Sequence, residues 1–284
     1  MTTPLIVSGT TSNNHMIHLQ SVSLEKIEPS LAGKFPFNVP VIQSLPTIEF
    51  TTPVTFLVGE NGSGKSTFME AVASAAGSIA AGSDDLDRDR TLKSVKELSR
   101  KLKLAWTKRT RKGLFLRAED YFGYAKRLAH MREELEADLA NVDKEYEGRS
   151  DYAKGLARMP FAGQLHEMKT KYEGDLDERS HGESFFTFFR ARFVPDGLYL
   201  LDEPEAPLSP LRQLAFISLM KEMVEQHNAQ FIIATHSPIL MAFPGAVILN
   251  FDQRPVAPVK YDELEHVIIT RDFLNNPEAF LREL

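Results

Sequence analysis

The spacing of apolar and polar residues changes several times along the chain, and each change marks an element. Residues 16–28 (MIHLQSVSLEKIE) set Ile17, Leu19, Val22 and Leu24 among polar neighbours, which predicts a strand with one exposed face. The stretch from Pro29 to Pro46 holds four prolines and reads as loop with short extended pieces. Thr47–Phe50 predicts a further strand. Thr55, Phe56, Leu57 and Val58 do not alternate, so they predict a short strand buried on both faces. After Lys65 the small residues Ala71, Ala73, Ala75 and Ala76 suit a helix packed closely on a sheet, ending by about Gly82.

From Asp84 to Arg179 charges are dense and helix formers dominate. We read residues 84–180 as a mainly helical lobe inserted into the core, with Gly113–Glu119 as an internal strand and 148–174 as its mobile part. An aromatic helix (FFTFFRARF) follows. Next come an apolar strand from Gly197 to Asp202, a helix over 211–226 and a second apolar strand from Gln230. Alternating helices and non-alternating strands predict an α/β fold with a mixed or parallel sheet core. The chain, 1–284, is expected to be a single domain with a flexible start over residues 1–15.

Composition narrows the class. The chain is 43% hydrophobic and 25% charged, as in ordinary globular proteins. Its net charge of −6 supplies no global field toward nucleic acid or anionic lipid. It has no cysteine, which excludes disulfides and thiolate metal sites and suits a cytoplasmic setting. No run approaches the roughly 20 apolar residues of a membrane span, so direct membrane insertion is not expected.

The chemistry begins where the buried strand ends. Gly59-Glu60-Asn61-Gly62-Ser63-Gly64-Lys65-Ser66 matches G-x-x-x-x-G-K-[ST], the phosphate-binding P-loop, and Thr67 follows it. Its glycines let the backbone approach a phosphate, and successive N–H groups form an anion nest at a helix start. Lys65 adds a charge against the β- and γ-phosphates, and the Ser66 hydroxyl is a candidate Mg2+ ligand. This pattern implies a nucleoside triphosphate ligand. Ligands of parallel sheets collect at the carboxyl ends of strands, where two further groups stand. Asp202 ends an apolar strand and is a candidate metal ligand beside Ser66. Glu203, next to it, suggests a general base for an attacking water. His236 follows the later strand, where it could cap the next helix or bond the γ-phosphate. Residues 100–117 carry Lys or Arg at eight positions with Trp106 among them. Such a run reads either as a nucleic-acid contact or as a solvated face.

In this order the P-loop, Ser180-His-Gly-Glu-Ser184, Leu200-Leu-Asp-Glu-Pro204 and Ala234-Thr-His-Ser-Pro238 resemble the Walker A, signature, Walker B and switch-histidine motifs of ATP-binding-cassette (ABC) ATPases. Glu205–Pro210 resembles the D-loop. Small stand-alone bacterial ABC-type ATPases of the AAA family, related to the SMC and RecF proteins, share this set, and the ending Arg271–Pro277 is similar to theirs. The resemblance implies a P-loop NTPase of cassette type. Two copies would close head to tail around two Mg-ATP, with Ser180, Gly182 and Glu183 of one facing the P-loop of the other. It implies hydrolysis of ATP to ADP and phosphate, coupled to a DNA or protein partner, for which the basic run 100–117 is the candidate contact. Two departures stand out. His181 and Glu183 replace a glycine and the glutamine of the transporter signature, which points away from a transporter subunit. Glu119 occupies the place of the glutamine that senses the metal. A transporter ATPase subunit and a slow nucleotide-dependent switch in a protein assembly are the alternative readings.

Overall fold

The structure, a computed structural model, describes residues 16–78, 95–171 and 181–282; side chains at 119–129, 168–171, 181–185 and 187 lie outside the described set. The elements run β1 (Leu19–Leu24), α1 (Pro40–Gln43), β2 (Ile48–Glu49), β3 (Val54–Val58), α2 (Lys65–Ala76), α3 (Val95–Lys101), β4 (Leu102–Trp106) and β5 (Gly113–Arg117). They continue as α4 (Ala118–Glu145), α5 (Asp151–Lys171), α6 (His181–Arg192), β6 (Leu198–Asp202), α7 (Pro210–His227), β7 (Gln230–Ala234) and α8 (Pro238–Met241). The chain closes with β8 (Val247–Asn250), β9 (Ala257–Pro258), α9 (Glu265–Asn275) and α10 (Pro277–Leu281).

The strands form two sheets. Six make the central one, in the order β5-β6-β7-β3-β8-β9, parallel except where β9 turns back on β8. Three more, β2-β1-β4, form a small antiparallel sheet. All five residues of β3, of β6 and of β7 are buried, as the lack of alternation in their sequences requires. One face of the central sheet (Val54, Phe56, Tyr199, Leu201, Phe231, Ile233) packs on Phe188, Phe189 and Phe193 of the α6 segment and on Phe216 and Met220 of α7. The other face (Leu57, Leu200, Ile232, Leu249) packs on Phe68, Met69 and Val72 of α2 and on the small sheet's Leu19, Val22 and Ile48. This is the expected α/β class with a largely parallel core.

Several expectations change. The proline-rich stretch holds α1, because Pro40 stands at the first helical position, where its missing N–H costs nothing and its φ is already helical. Helix α2 stops at Ala76 rather than near Gly82, since Gly77 takes φ +70° and closes the helix in a left-handed cap. Within 84–180 the strand expected inside a helical lobe is β5, an edge strand of the central sheet, and β4 belongs to the small sheet. Of that stretch, the paired helices α4 and α5 are what stands apart from the sheets; Asp143 accepts from Arg158 at 2.9 Å between them. Among the described residues no helix is long and apolar enough to cross a membrane.

The basic run is dispersed as well. Lys101 pairs with Glu28 (3.1 Å), Lys103 with Glu25 (3.3 Å), Lys112 with Asp196 (3.6 Å) and Arg117 with Glu70 (2.9 Å). Trp106 packs half-buried against the second core cluster. Lys108, Arg109 and Arg111 are exposed in the loop between β4 and β5.

One buried side chain joins the two sheets. Gln230, at the start of β7 and 0% exposed, accepts from the Leu19 N–H at 2.8 Å and donates to the Leu19 carbonyl at 2.9 Å. Gln230→Leu leaves both backbone groups buried without that partner. It should lower the unfolding free energy by about 2–4 kcal/mol in urea denaturation.

Candidate functional site

The parallel register brings four strand ends level. Arg117 of β5 lies opposite Asp202 of β6, Asp202 opposite Ala234 of β7, and Ala234 opposite Leu57 of β3. Whatever follows each of these positions therefore meets its neighbours over the carboxyl edge of the sheet. Beyond β3 the loop Gly59–Gly64 turns into α2, whose N-cap Gly64 has φ +100°. A Cβ there would stand 2.6 Å from Val41 Cγ1, so only glycine lets α1 close under the loop. Asn61, Gly62, Gly64, Lys65, Ser66, Thr67 and Glu203 line a cavity of about 240 Å³ together with Phe35 and Val39.

Lys65 is buried, and its ammonium donates to the carbonyls of Gly59 (2.7 Å) and Glu60 (3.0 Å). Burial lowers its pKa, while Asp202, Asp252, Glu203 and Glu60 pull the other way. Glu60 N–H donates to both carboxylate oxygens of Asp252 at 3.0 Å, which ties the loop to the end of β8.

Asp202 is the most constrained group. Its carboxyl is buried, and burial pushes its pKa from 3.8 up to about 6. A hydrogen bond from the Ser66 hydroxyl and the charges of Lys65 and Arg117 oppose that rise, whereas Glu203 adds to it. Its Oδ1 is buried with no hydrogen-bond partner. A buried, partly unsatisfied carboxylate touching a hydroxyl is the donor set expected for a hard divalent cation that takes its other ligands from phosphate and water. Among the described residues no group of three or more His, Asp or Glu is arranged to hold a metal unaided.

Glu203 takes φ +51°, a left-handed conformation rare outside glycine, and its N–H donates to the Ala234 carbonyl at 2.9 Å. The turn leads the Glu203 side chain to the cavity wall, 48% exposed, with Oε1 3.9 Å from His236 Nε2. His236 does not cap the following helix. Ser237 does, accepting from Leu240 N–H. The His236 N–H is held at 2.7 Å by Glu205, a buried acid whose pKa is raised chiefly by desolvation.

Ser180 lies outside the described residues. Gly182 and Glu183 fall in the first turn of α6 and Glu119 in the first turn of α4, but their side chains are outside the described set. The structure therefore brings together Lys65, Ser66, Asp202, Glu203 and His236 and says nothing of a contact from the other four. Sequence reasoning missed Phe35 and Asp252. Phe35, 54% exposed, stands at the mouth of the cavity, and the Phe-Pro-Phe string within the proline-rich stretch is its one local sign. Asp252 had the same kind of signal as Asp202, an acid just past an apolar strand (Val247–Asn250).

Comparison with known proteins gives the family of the chain. A family model described as an AAA ATPase domain matches residues 82–241, more than half of the chain, a span that includes Asp202 and His236. The chain belongs to this family of AAA ATPase domains. A second model, described as an AAA domain, matches residues 38–112 and so takes in the P-loop. No curated protein matches this ATPase domain. Among solved structures it is similar to an inward-facing metal-chelate type ABC transporter, with 13% identity, 89% of this chain and 88% of that one covered, and a TM-score of 0.43. It is also similar to the SMC head domain from Thermotoga maritima (14%, 86% and 100%, 0.39) and to a dimeric bacterial ABC transporter cassette (13%, 75% and 89%, 0.35).

The raised pKa of Asp202 has a measurable sign. The folded state holds this proton more tightly than the unfolded chain, so the stabilisation is complete below about pH 4 and is lost as pH rises through about 6. Asp202→Asn removes that loss. Without nucleotide or metal, the variant should gain about 1–3 kcal/mol over the parent between about pH 4 and about pH 8, measured by denaturant unfolding at both ends.

Proposed function

We propose that this AAA ATPase domain binds Mg-ATP over the carboxyl ends of β3, β6 and β7 and hydrolyses it to ADP and phosphate. The observation that carries the reading is the Ser66–Asp202 contact with the orphaned Asp202 Oδ1 beside it, Ser66 sharing one cavity lining with Glu203. The P-loop N–H groups and Lys65 take the β- and γ-phosphates, Lys65 exchanging its backbone carbonyls for phosphate oxygens. Ser66 and Asp202 would hold Mg2+, which when bound would supply positive charge against the phosphates. Glu119, after β5, is the third candidate for that ion.

Glu203 accepts a proton from water as the water oxygen bonds to the γ-phosphorus. The bond from that phosphorus to the β,γ-bridging oxygen breaks, and ADP leaves. His236, across from Glu203, donates to the terminal phosphate. Phe35 offers a ring to the adenine at the mouth of the cavity. We further read the active form as a head-to-tail pair of chains, in which Ser180, Gly182 and Glu183 of one copy approach the P-loop of the other. ATP then clamps the pair and hydrolysis releases it. The exposed Lys108, Arg109 and Arg111 are the contact for an acidic partner, DNA or protein, that the cycle drives.

Two variants test the reading. Glu203→Gln keeps size and loses the base, so kcat should fall by about 100-fold or more while ATP affinity holds and the pair persists in gel filtration with ATP. An unchanged steady-state ATPase rate would remove Glu203 from the chemistry. Phe35→Ala should weaken ATP binding by about tenfold, in titration calorimetry, with kcat nearly unchanged.

A further inference from the structure

A second imidazole stands beside His236, and no step above uses it. His266 lies in the first turn of α9, between Leu264 and Val267, both buried in the aromatic-rich core cluster. That anchoring leaves its backbone little freedom. Its ring centroid is 6.5 Å from that of His236, and the planes meet at 65°, an edge-to-face arrangement. The Nε2 atoms of both rings are buried, and neither has a hydrogen-bond partner among the described residues. Buried side-chain nitrogens are seldom left this way, and two on adjoining rings point to a shared use.

The charges around the pair come from several elements. The P-loop segment brings Glu60 and Lys65, the loop after β8 brings Asp252, and the end of β7 brings His236. His236 itself faces Glu203 at 3.9 Å, and Glu205 holds its backbone. On α9, Glu265 precedes His266, and Arg271 is engaged by Asp262 at 3.6 Å. Burial is the strongest influence on His266 and His236 the next. Both disfavour its charged form, against the weaker pull of Glu60 and Asp252, and its pKa is lowered.

We propose that His266 is a positioning residue acting through His236: the buried His266 ring, edge-on against that imidazole, fixes how His236 faces Glu203 and the phosphate side. This rests on the reading of His236 as the donor to the terminal phosphate. Two imidazolium charges at this separation repel, so a second proton enters only at a pH below that of an isolated histidine. Over the neutral range His266 is then neutral, edge-on to His236. When acid forces the second proton on, the rings push apart and the geometry at Glu203 is lost. The acid limb of the ATPase pH profile therefore belongs to His266.

The test follows the ring C–H resonances of both histidines by NMR in the full-length protein. In His236→Gln the like charge is gone, and the His266 titration should move up by about half a pH unit or more. An unmoved titration overturns the proposal. The rate profile supplies a second reading. In His266→Gln and in His266→Phe, neither of which can take a proton, the acid limb of kcat should shift to lower pH. A uniform loss of rate with the limb unmoved would mark a packing role and also overturn it. Full activity in His236→Gln overturns the role of His236 instead, and with it the part of the pair in hydrolysis, whichever way His266 titrates.

Discussion

A carboxylate buried at the end of β6 is the constraint on which the rest of this structure depends. Asp202 sits where desolvation penalises its charge, and Ser66, Lys65 and Arg117 offset that penalty. They come from two distant parts of the sequence. Ser66 and Lys65 open α2, and Arg117 closes β5, directly opposite Asp202 in the ladder. The parallel register of β5, β6, β7 and β3 is thus more than a way to bury apolar strands. It is the device that sets one acid, one hydroxyl and two cations over a common edge.

Around that acid the chain tolerates conformations that stability alone would not select. Glu203 is held at positive φ. Lys65 is desolvated with its ammonium on backbone carbonyls, and Asp202 Oδ1 has no partner. Rigid supports keep these features in place. Asp252 ties the P-loop to β8, Glu205 ties the His236 backbone to the loop after β6, and Ser237 caps α8 so that His236 is left for the cavity side. The aromatic packing of Phe189 on Phe216 (4.6 Å) and Phe193 on Tyr199 (4.4 Å) stiffens the face of the sheet below.

The parts of the site written in consecutive residues were legible in advance. A non-alternating strand running into a glycine-rich turn gives the P-loop. An apolar strand ending in two acids gives Asp202 and Glu203. What failed to show were relations between distant residues. Nothing local says that Leu19 and Gln230 meet, so the division into two sheets was hidden, and the run at Gly113 looked like part of a lobe rather than an edge strand. The basic run looked continuous because its partners Glu25, Glu28, Glu70 and Asp196 lie far from it in sequence. Phe35 and His266 escaped for the same reason, since each reaches the site through tertiary packing, whereas Asp252 carried the strand-end signal of Asp202 and was overlooked. The end of α2 was misjudged because two glycines competed to close it, and Gly77 comes first.

The measurement that bears most directly on this account is equilibrium binding of ATP to the parent and to Asp202→Ala, each with Mg2+ and with a chelator. The account predicts that Mg2+ strengthens binding to the parent by about tenfold or more and has little effect on the variant, because the coupling runs through the Asp202 carboxylate. An equal Mg2+ effect in both proteins, or none in the parent, would contradict it.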